Sequence, residues 1–219
     1  MAELHDATEE YLETIFEIEE EGIRPMRARL VERLGLSAPA VSETVQRLVD
    51  HDLVTLNDDR SIRLTHQGRE IATTMVRRHR LAERLLSDLI GLEWEKVHKE
   101  ACRWEHVISD DVEARLVELL GDPASCPHGN RIPGSLTGQR SGDTITLAAA
   151  PIGPVTITRI LEQLELDDDA LALLGRNRLI PGCGADVVSK GPDGVLVRST
   201  ISEVIVPQAV AESTFVTVR

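Results

Sequence analysis

The chain has 219 residues, enough for two or three compact units, and 42% of them are hydrophobic and 28% charged. This balance excludes a disordered chain, and no apolar run approaches the roughly 20 residues that span a bilayer, so we expect no membrane partner. The acidic start, MAELHDATEE, lacks the basic and apolar regions of a secretory signal, so we expect a cytoplasmic protein. In a reducing compartment the three cysteines, Cys102, Cys126 and Cys183, favour metal ligation or burial over disulfides.

The net charge of −13 argues against nonspecific binding to polyanions. Residues 1–72 hold 16 acidic residues against eight arginines and no lysine. Charge alone favours an ordinary acidic globular domain, so any contact with DNA must come from a local group of arginines.

The N-terminal segment predicts the helices of a helix-turn-helix. Apolar residues recur three and four apart over 3–21 and 26–34, and Gly35 breaks the second helix. Ser37 is a good N-cap for a third helix that runs to about Asp50.

Two short alternating segments, 53–56 and 61–64, follow that third helix and flank the turn-rich residues 57–60. Many three-helix domains share the helical part, but a hairpin directly after the third helix indicates a winged helix-turn-helix.

The remainder of the chain predicts a helical part and then a β part. A long helix over about 65–90 and two more within 93–120 have dense apolar spacing and predict a dimerisation unit. Residues 121–143 are rich in Gly, Pro and Ser and indicate irregular chain. Beyond them, short β-branched runs predict an SH3-like small β-barrel with one short helix near 168–174. The predicted strands are 144–147, 155–160, 185–188, 195–198, 204–206 and 215–218. We therefore predict a mostly α fold with β, in the domains 1–72, 73–140 and 141–219.

The sharpest chemical pattern is VHKEACRWEH, residues 97–106. On a helix Cys102, Glu105 and His106 share one face, and His98 lies one turn before the cysteine on that face. Thiolate, imidazole and carboxylate on adjacent turns are the donors of a transition-metal site.

A second helix carries His79 and Glu83, again four residues apart. Such a pair alone is most often a solvated surface pair, but two pairs and a cysteine within 28 residues favour metal binding by two helices. A catalytic alternative, with Glu105 as general base beside a metal, lacks a nucleophile pair or a substrate-binding loop.

The sequence as a whole resembles the diphtheria toxin repressor family, which includes iron-dependent regulators and manganese transport regulators. The resemblance covers nearly the whole chain and is strongest from about 6 to 134. It is carried by DATEEYLETIFEIEEEG, RARLVERL, SAPAVSETV, RRHRLAERLL, GLEWEKVHKEACRWEHVISDDVEARL and HGNRIPG. It implies a homodimeric repressor of double-stranded operator DNA, not an enzyme, with no small organic substrate. It also implies a winged helix-turn-helix, a helical dimerisation domain and an SH3-like domain.

The resemblance also implies two metal sites per subunit. We call them the primary site, formed by Glu10, Cys102, Glu105 and His106, and the ancillary site, formed by His79, Glu83 and His98. Two further sources of ligands are implied by parts of the family. The loop residues Cys126 and His128 are candidates, as is Asp167 of the SH3-like domain, whereas Ala170 stands where iron-type members have a glutamine and cannot ligate.

The metal expected from these residues is Mn²⁺, with Fe²⁺ as the alternative. Iron-type members have a methionine where Glu10 stands here, and hard oxygen donors suit Mn²⁺. Manganese-type members usually also replace the cysteine, yet Cys102 is retained. The primary site is therefore a hybrid of the two types.

The resemblance assigns DNA contacts to the second helix, the third helix and the wing. The residues are Arg27, Arg29, Ser37, Pro39, Ser42, Glu43 and Arg60. Arg47 is as readily an exposed helix residue as a phosphate contact. Glu43 stands where iron-type members have Gln, and a carboxylate can accept from a cytosine amino group but cannot donate to a base, so we expect a different operator.

Two classes other than a repressor remain open from the residues alone. A metal-dependent hydrolase would need turnover and an open coordination position. A metal buffer or structural zinc protein would show no metal-dependent binding to DNA. The winged helix-turn-helix pattern argues against both.

Overall fold

The structure is a computed structural model that describes residues 2–137 and 143–219, with side chains from residue 7 onward. It separates into two compact units, Met1–Arg78 and His79–Arg219. Part of the predicted irregular stretch, residues 138–142, lies outside the described residues.

The N-terminal unit contains three helices, a two-stranded hairpin and the start of a fourth helix. In chain order these are α1 (Ala2–Glu20), α2 (Arg27–Leu34), α3 (Ala38–Asp50), β1 (Val54–Leu56), β2 (Ile62–Leu64) and α4 (His66–Arg84), which continues into the second unit. One buried apolar cluster joins them, and it includes Leu12, Ile15, Leu30, Val45 and Leu48. The arrangement is a winged helix-turn-helix, with the antiparallel hairpin as the wing.

Local sequence explains the turn between α2 and α3. Gly35 adopts φ +64, a left-handed conformation that glycine enters without steric cost, and its N–H donates to the carbonyl of Val31. Ser37 then caps α3, because its side chain accepts from the N–H of Ala40. The wing is held to the segment before α2, because the N–H of Ile62 in β2 donates to the carbonyl of Pro25 at 2.9 Å.

The helical part of the second unit follows from the end of α4. A π-helical segment, Leu85–Ile90, continues α4 and ends at Gly91, whose φ is +78. Two further helices are α5 (Val97–Trp104) and α6 (Asp110–Leu120), and a 3₁₀ turn, Glu105–Val107, continues α5. A separate apolar cluster, which includes Leu81, Leu86, Val97 and Leu116, lies between these helices.

The rest of the second unit is a six-stranded antiparallel sheet in the order β3-β8-β4-β5-β6-β7. The strands are β3 (Ile145–Thr146), β4 (Gly153–Ile160), β5 (Gly184–Gly191), β6 (Gly194–Arg198), β7 (Glu203–Val206) and β8 (Thr214–Val218). Three helices connect them: α7 (Glu162–Glu165), α8 (Asp168–Arg176) and α9 (Gln208–Glu212).

The predicted fold class is confirmed: a winged helix-turn-helix, a helical part and a small antiparallel β domain follow one another along the chain. The sequence predictions omitted the short helices α7 and α9 and the π-helical segment. The domain bounds 1–72, 73–140 and 141–219 stay predictions. Within the described residues, no helix is both long and apolar enough to cross a membrane.

Candidate metal centre and DNA-reading surface

The second unit buries a group of nitrogen, oxygen and sulfur donors. We call it the donor cluster, and its members are His79, Glu83, His98, Cys102, Glu105, Cys126, His128 and Glu165. Helix α4 contributes the first two members one turn apart, and α5 contributes the next two one turn apart, as their spacing predicts. Burial of so many ionisable groups is costly unless each is paired or holds a cation.

Helices α4 and α5 face each other through their histidines. Nε2 of His79 lies 3.1 Å from Nδ1 of His98, and the rings are 4.8 Å apart. Nε2 of His98 lies 3.7 Å from Sγ of Cys102. His79, His98 and Cys102 each offer one donor atom within 4.8 Å of the others, so these two helices form a three-donor group.

Glu83 is the common member of two further groups. One contains Cys126 and His128, and the other contains His98 and Glu165. Oε1 of Glu83 lies 3.1 Å from Nδ1 of His128 and 3.5 Å from Nδ1 of His98. Cys126 and His128 thus lie beside Glu83, and their ligation of a metal stays a prediction.

A tight turn holds that loop in place. The N–H of Cys126 donates to the carbonyl of Asn130 at 2.8 Å, and the N–H of Gly129 donates to the carbonyl of Cys126 at 3.0 Å. Trp94 covers the loop, since its Nε1 donates to the carbonyl of Pro127 and its ring lies 4.6 Å from that of His128. The side chain of His128 is fully buried as a result.

The β domain supplies Glu165, which the sequence analysis did not identify. Its Oε2 lies 3.0 Å from Nδ1 of His98 and 2.9 Å from Nδ1 of His128. Its Oε1 accepts from Nδ2 of Asn130 at 2.8 Å. The expected ligand Asp167 lies elsewhere: it is exposed and caps α8, accepting from the N–H groups of Asp169 and Ala170. The carboxylate that the β domain places among the buried histidines is thus Glu165, two residues before Asp167, and metal ligation by Asp167 stays a prediction.

The four members of the predicted primary site do not all lie in the same unit. Cys102 lies beside His79 and His98 of the predicted ancillary site. Oε2 of Glu105 lies 2.5 Å from Nδ1 of His79, and its Oε1 lies 3.3 Å from Nε2 of His106. Glu10 is on α1 in the N-terminal unit. Its membership of a site with the others stays a prediction.

Opposite charges compensate one another within the donor cluster. Burial lowers the pKa of His79, His98 and His128, but the neighbouring carboxylates and thiols reverse this and hold each pKa well above its ordinary value. Burial raises the pKa of Glu83, but the three histidines outweigh it and hold that pKa well below its usual range. A cation that enters the cluster must therefore displace protons.

The two cysteines of the donor cluster differ in acidity. Burial raises the pKa of Cys102, yet hydrogen bonds from His79 and His98 outweigh it and bring the pKa down to about 7. Cys126 is completely enclosed, and burial together with the charge of Glu83 raises its pKa to about 12. Cys102 is thus the thiol that is readily present as a thiolate ligand.

The donor set fits a divalent cation. Oε2 of Glu83 and Nε2 of His128 are both buried and have no hydrogen-bond partner among the described residues. A buried lone pair without a partner is unfavourable, and coordination to a cation would satisfy such an atom. Mixed imidazole, carboxylate and thiolate donors suit Mn²⁺, Fe²⁺ and Zn²⁺.

In the N-terminal unit, α3 presents a polar face to solvent. Pro39, Ser42, Glu43 and Arg47 are exposed along it, while Val45 and its neighbours face the core. A capped helix with an exposed N-terminal half after a tight turn has the geometry of a recognition helix. Arg47 also donates to Oγ1 of Thr44 at 3.0 Å, so its guanidinium is held along α3.

The other predicted DNA contacts lie on α2 and in the wing. Arg29 is exposed on α2 and pairs with Glu32 at 2.8 Å. Arg60 is exposed at the tip of the wing with φ +64. Arg27, also on α2, is half-buried.

A winged helix-turn-helix in one unit and a buried set of metal donors in the other define a metal-responsive DNA-binding protein. Two family models match the chain: "Iron dependent repressor, N-terminal DNA binding domain" over residues 3–62, and "Iron dependent repressor, metal binding and dimerisation domain" over residues 65–134. The chain belongs to this family of iron-dependent repressors, which is also that of the diphtheria toxin repressor.

Known relatives and structures are similar over different lengths. The diphtheria toxin repressor of Corynebacterium jeikeium is 59% identical over 134 residues, 61% of this chain and 56% of that protein. The iron-dependent repressor IdeR of Mycobacterium tuberculosis is 43% identical over 207 residues, 90% of each chain. A solved manganese-dependent transcriptional repressor in complex with manganese is 30% identical, with a TM-score of 0.84 over 97% of this chain and 100% of that one.

The predicted family is therefore confirmed, and so is the prediction that the protein is a repressor and not an enzyme. It is a metal-dependent transcriptional repressor that binds DNA and dimerises, as the two family domains specify. The relatives include proteins named for iron and for manganese, so family membership does not select the metal.

Proposed function

We propose that this protein represses metal-uptake or metal-homeostasis genes in the cytoplasm by binding their operators as a homodimer when loaded with Mn²⁺. Each subunit holds two metal ions. The observation that carries the proposal is the donor cluster, in which Glu83 and His128 leave buried atoms without partners among the described residues.

The first metal site is proposed at residues of the second unit. Glu83, His98, His128 and Glu165 converge within ion-pair distance and form the core of one site. Bound there, a divalent cation supplies the positive charge that converts repulsion between carboxylates into attraction. Cys126 borders the same site, since it offers a donor atom within 4.8 Å of those of Glu83 and His128.

The second metal site is proposed from the family pattern at Glu10, Cys102, Glu105 and His106. Glu10 lies on α1, directly upstream of the helices that read DNA. If the Glu10 carboxylate is held in place only when the cation is bound, the structural order of the N-terminal unit depends on metal.

Manganese is preferred here because hard oxygen donors are numerous. Glu83, Glu105 and Glu165 are all buried in the second unit, and Glu10 adds a fourth carboxylate to the proposed sites. Fe²⁺ is the second candidate, and the observation that favours it is Cys102, whose lowered pKa makes a softer thiolate available.

For DNA, we propose that the N-terminal half of α3 enters the major groove. Ser42 and Glu43 are exposed there and would reach base edges, while Arg29 and Arg60 flank them and would bind phosphates. Two such helices in a dimer would contact half-sites one helical turn, about 34 Å, apart.

The test is operator binding by the purified protein under anaerobic conditions, titrated separately with Mn²⁺ and Fe²⁺. We expect a retarded promoter fragment only with metal, and at lower free Mn²⁺ than Fe²⁺. Glu10→Ala is expected to lose this response, with Glu9→Ala as its control on the same helix. Metal-independent retardation, or full metal response by Glu10→Ala, would overturn the mechanism.

A further inference from the structure

Arg80 is the largest fully buried side chain of the described residues. It lies on α4 between His79 and Glu83, and its side chain is 1% exposed. Arg77 and Arg78, just before it on α4, are half-buried, but Arg80 points into the second unit. A guanidinium in that position requires a partner that compensates its charge.

That partner is Glu162, the first residue of α7. Nε of Arg80 donates to Oε1 of Glu162 at 2.9 Å, and Nη2 donates to Oε2 at 3.0 Å. Nη1 donates to the carbonyl of Arg131. The two parallel bonds form the bidentate geometry that only a guanidinium can offer a carboxylate, and they fix both the position and the orientation of α7.

The same four-residue helix carries Glu165 three positions later. Residues three apart lie on one face of a helix, so both carboxylates of α7 point toward α4 and α5. Glu162 binds the arginine between His79 and Glu83, and Glu165 reaches His98 and His128. A short helix has little intrinsic stability, so its placement depends on such contacts.

We propose that Arg80 and Glu162 are a positioning pair, which holds α7 so that Glu165 is placed in the metal site before any metal binds. The inference rests on the proposed function only in that Glu165 ligates a divalent cation. Neither Arg80 nor Glu162 coordinates the metal in this arrangement.

The experiment measures Mn²⁺ binding without DNA, by electron paramagnetic resonance of free Mn²⁺. Glu165→Gln first identifies the metal equivalent that depends on that ligand. Glu162→Gln and Arg80→Lys are then compared with Glu203→Gln, which makes the same chemical change in the exposed pair with Arg198 on the sheet. Circular dichroism of each metal-free protein reports whether the fold persists.

We expect Glu162→Gln and Arg80→Lys to weaken that one equivalent about 10- to 100-fold, the usual effect of a residue that orients a ligand. The other equivalent and the Glu203→Gln control should match wild type. If a single variant unfolds, the exchanged pair Arg80→Glu with Glu162→Arg decides: recovery of the equivalent supports the pair, and a folded exchanged protein without it overturns the proposal.

Equal affinity in wild type and Glu162→Gln would also overturn the inference and leave the proposed function intact. Wild-type Mn²⁺ binding with the expected losses, but without any shift of DNA, would remove the proposed function and leave the positioning role intact.

Discussion

Nδ1 of His98 lies 3.0 Å from Oε2 of Glu165, although one residue belongs to the helical part of the second unit and the other to its β domain. The β domain is thus part of the donor cluster and not a separate appendage. Oε1 of the same glutamate accepts from Asn130, which fixes the loop that carries His128. Three segments far apart in sequence therefore meet at one carboxylate.

Glu83 is the residue whose loss should most reduce metal binding. It is completely buried and lies within 3.5 Å of ring nitrogens of His79, His98 and His128. Glu83→Gln preserves the shape of the side chain but removes the charge, so we expect Mn²⁺ affinity to fall by at least about 100-fold, more than an outer-shell change produces. Isothermal titration calorimetry measures this.

The matched control for that change is Glu118→Gln, an exposed glutamate on α6 that pairs with Arg115. We expect its Mn²⁺ affinity to equal that of wild type. Retention of wild-type affinity by Glu83→Gln would remove Glu83 from the site.

The helices of the DNA-reading unit could be predicted from sequence because their signals are local. Gly35 and Ser37 mark the turn and the cap, and the apolar spacing of α3 selects its buried face. The i, i+4 spacing likewise placed His79 with Glu83 and His98 with Cys102. These relationships depend only on helical geometry within each element.

The positions of Glu165 and Arg80 could not be predicted in the same way. Glu165 lies on a four-residue helix too short to give a periodic pattern, and the resemblance to the family pointed to Asp167 instead. The burial of Arg80 depends on Glu162, 82 residues later in the chain. The ion pair between Arg80 and Glu162 forms only when the β domain packs against α4, so no local sequence pattern predicts it.

Gly129 should be needed for the loop that presents Cys126 and His128. Its φ is +89, and a Cβ there would lie 2.1 Å from the carbonyl oxygen of Thr158, which is backbone and cannot turn away. A strained backbone conformation costs about 1–3 kcal/mol, so we expect Gly129→Ala to lower the free energy of unfolding by at least that amount. We also expect it to weaken metal binding. Urea denaturation and Mn²⁺ titration measure the two effects.

Gly191→Ala provides the comparison for this loop, because a Cβ at Gly191 would meet no atom within 4 Å. It should unfold at nearly the wild-type urea concentration. A Gly129→Ala protein as stable as Gly191→Ala would show that the loop relaxes freely.

The thiols of Cys102 and Cys126 should react at very different rates in the metal-free protein. The thiolate is the reactive form, so alkylation of Cys102 should increase with pH around its pKa of about 7. Cys126 should stay unmodified over the same range, because it is enclosed and its pKa is about 12. Mass spectrometry after brief iodoacetamide treatment distinguishes the two peptides.

Addition of saturating Mn²⁺ should slow the alkylation of Cys102, since a coordinated thiolate is no longer free to attack. Cys183 lies outside the donor cluster and serves as the internal reference. Equal rates for Cys102 with and without metal would argue that this thiol is not a ligand.

Glu43 should determine part of the operator sequence. It is exposed on α3, one residue after Ser42 and away from the buried face formed by Val41 and Val45. A glutamate accepts a hydrogen bond from the amino group of cytosine, whereas a glutamine can bond both donor and acceptor of adenine. Selection of binding sites from random DNA with metal-loaded wild type and Glu43→Gln should therefore give consensus sequences that differ at one position in each half-site. The preferred base should change from cytosine toward adenine, with discrimination of about 1–3 kcal/mol at that position.

Gln46→Glu, a change at another exposed position of α3, tests whether any altered charge on this helix has the same effect. Identical consensus sequences for wild type and Glu43→Gln would mean that Glu43 does not contact a base.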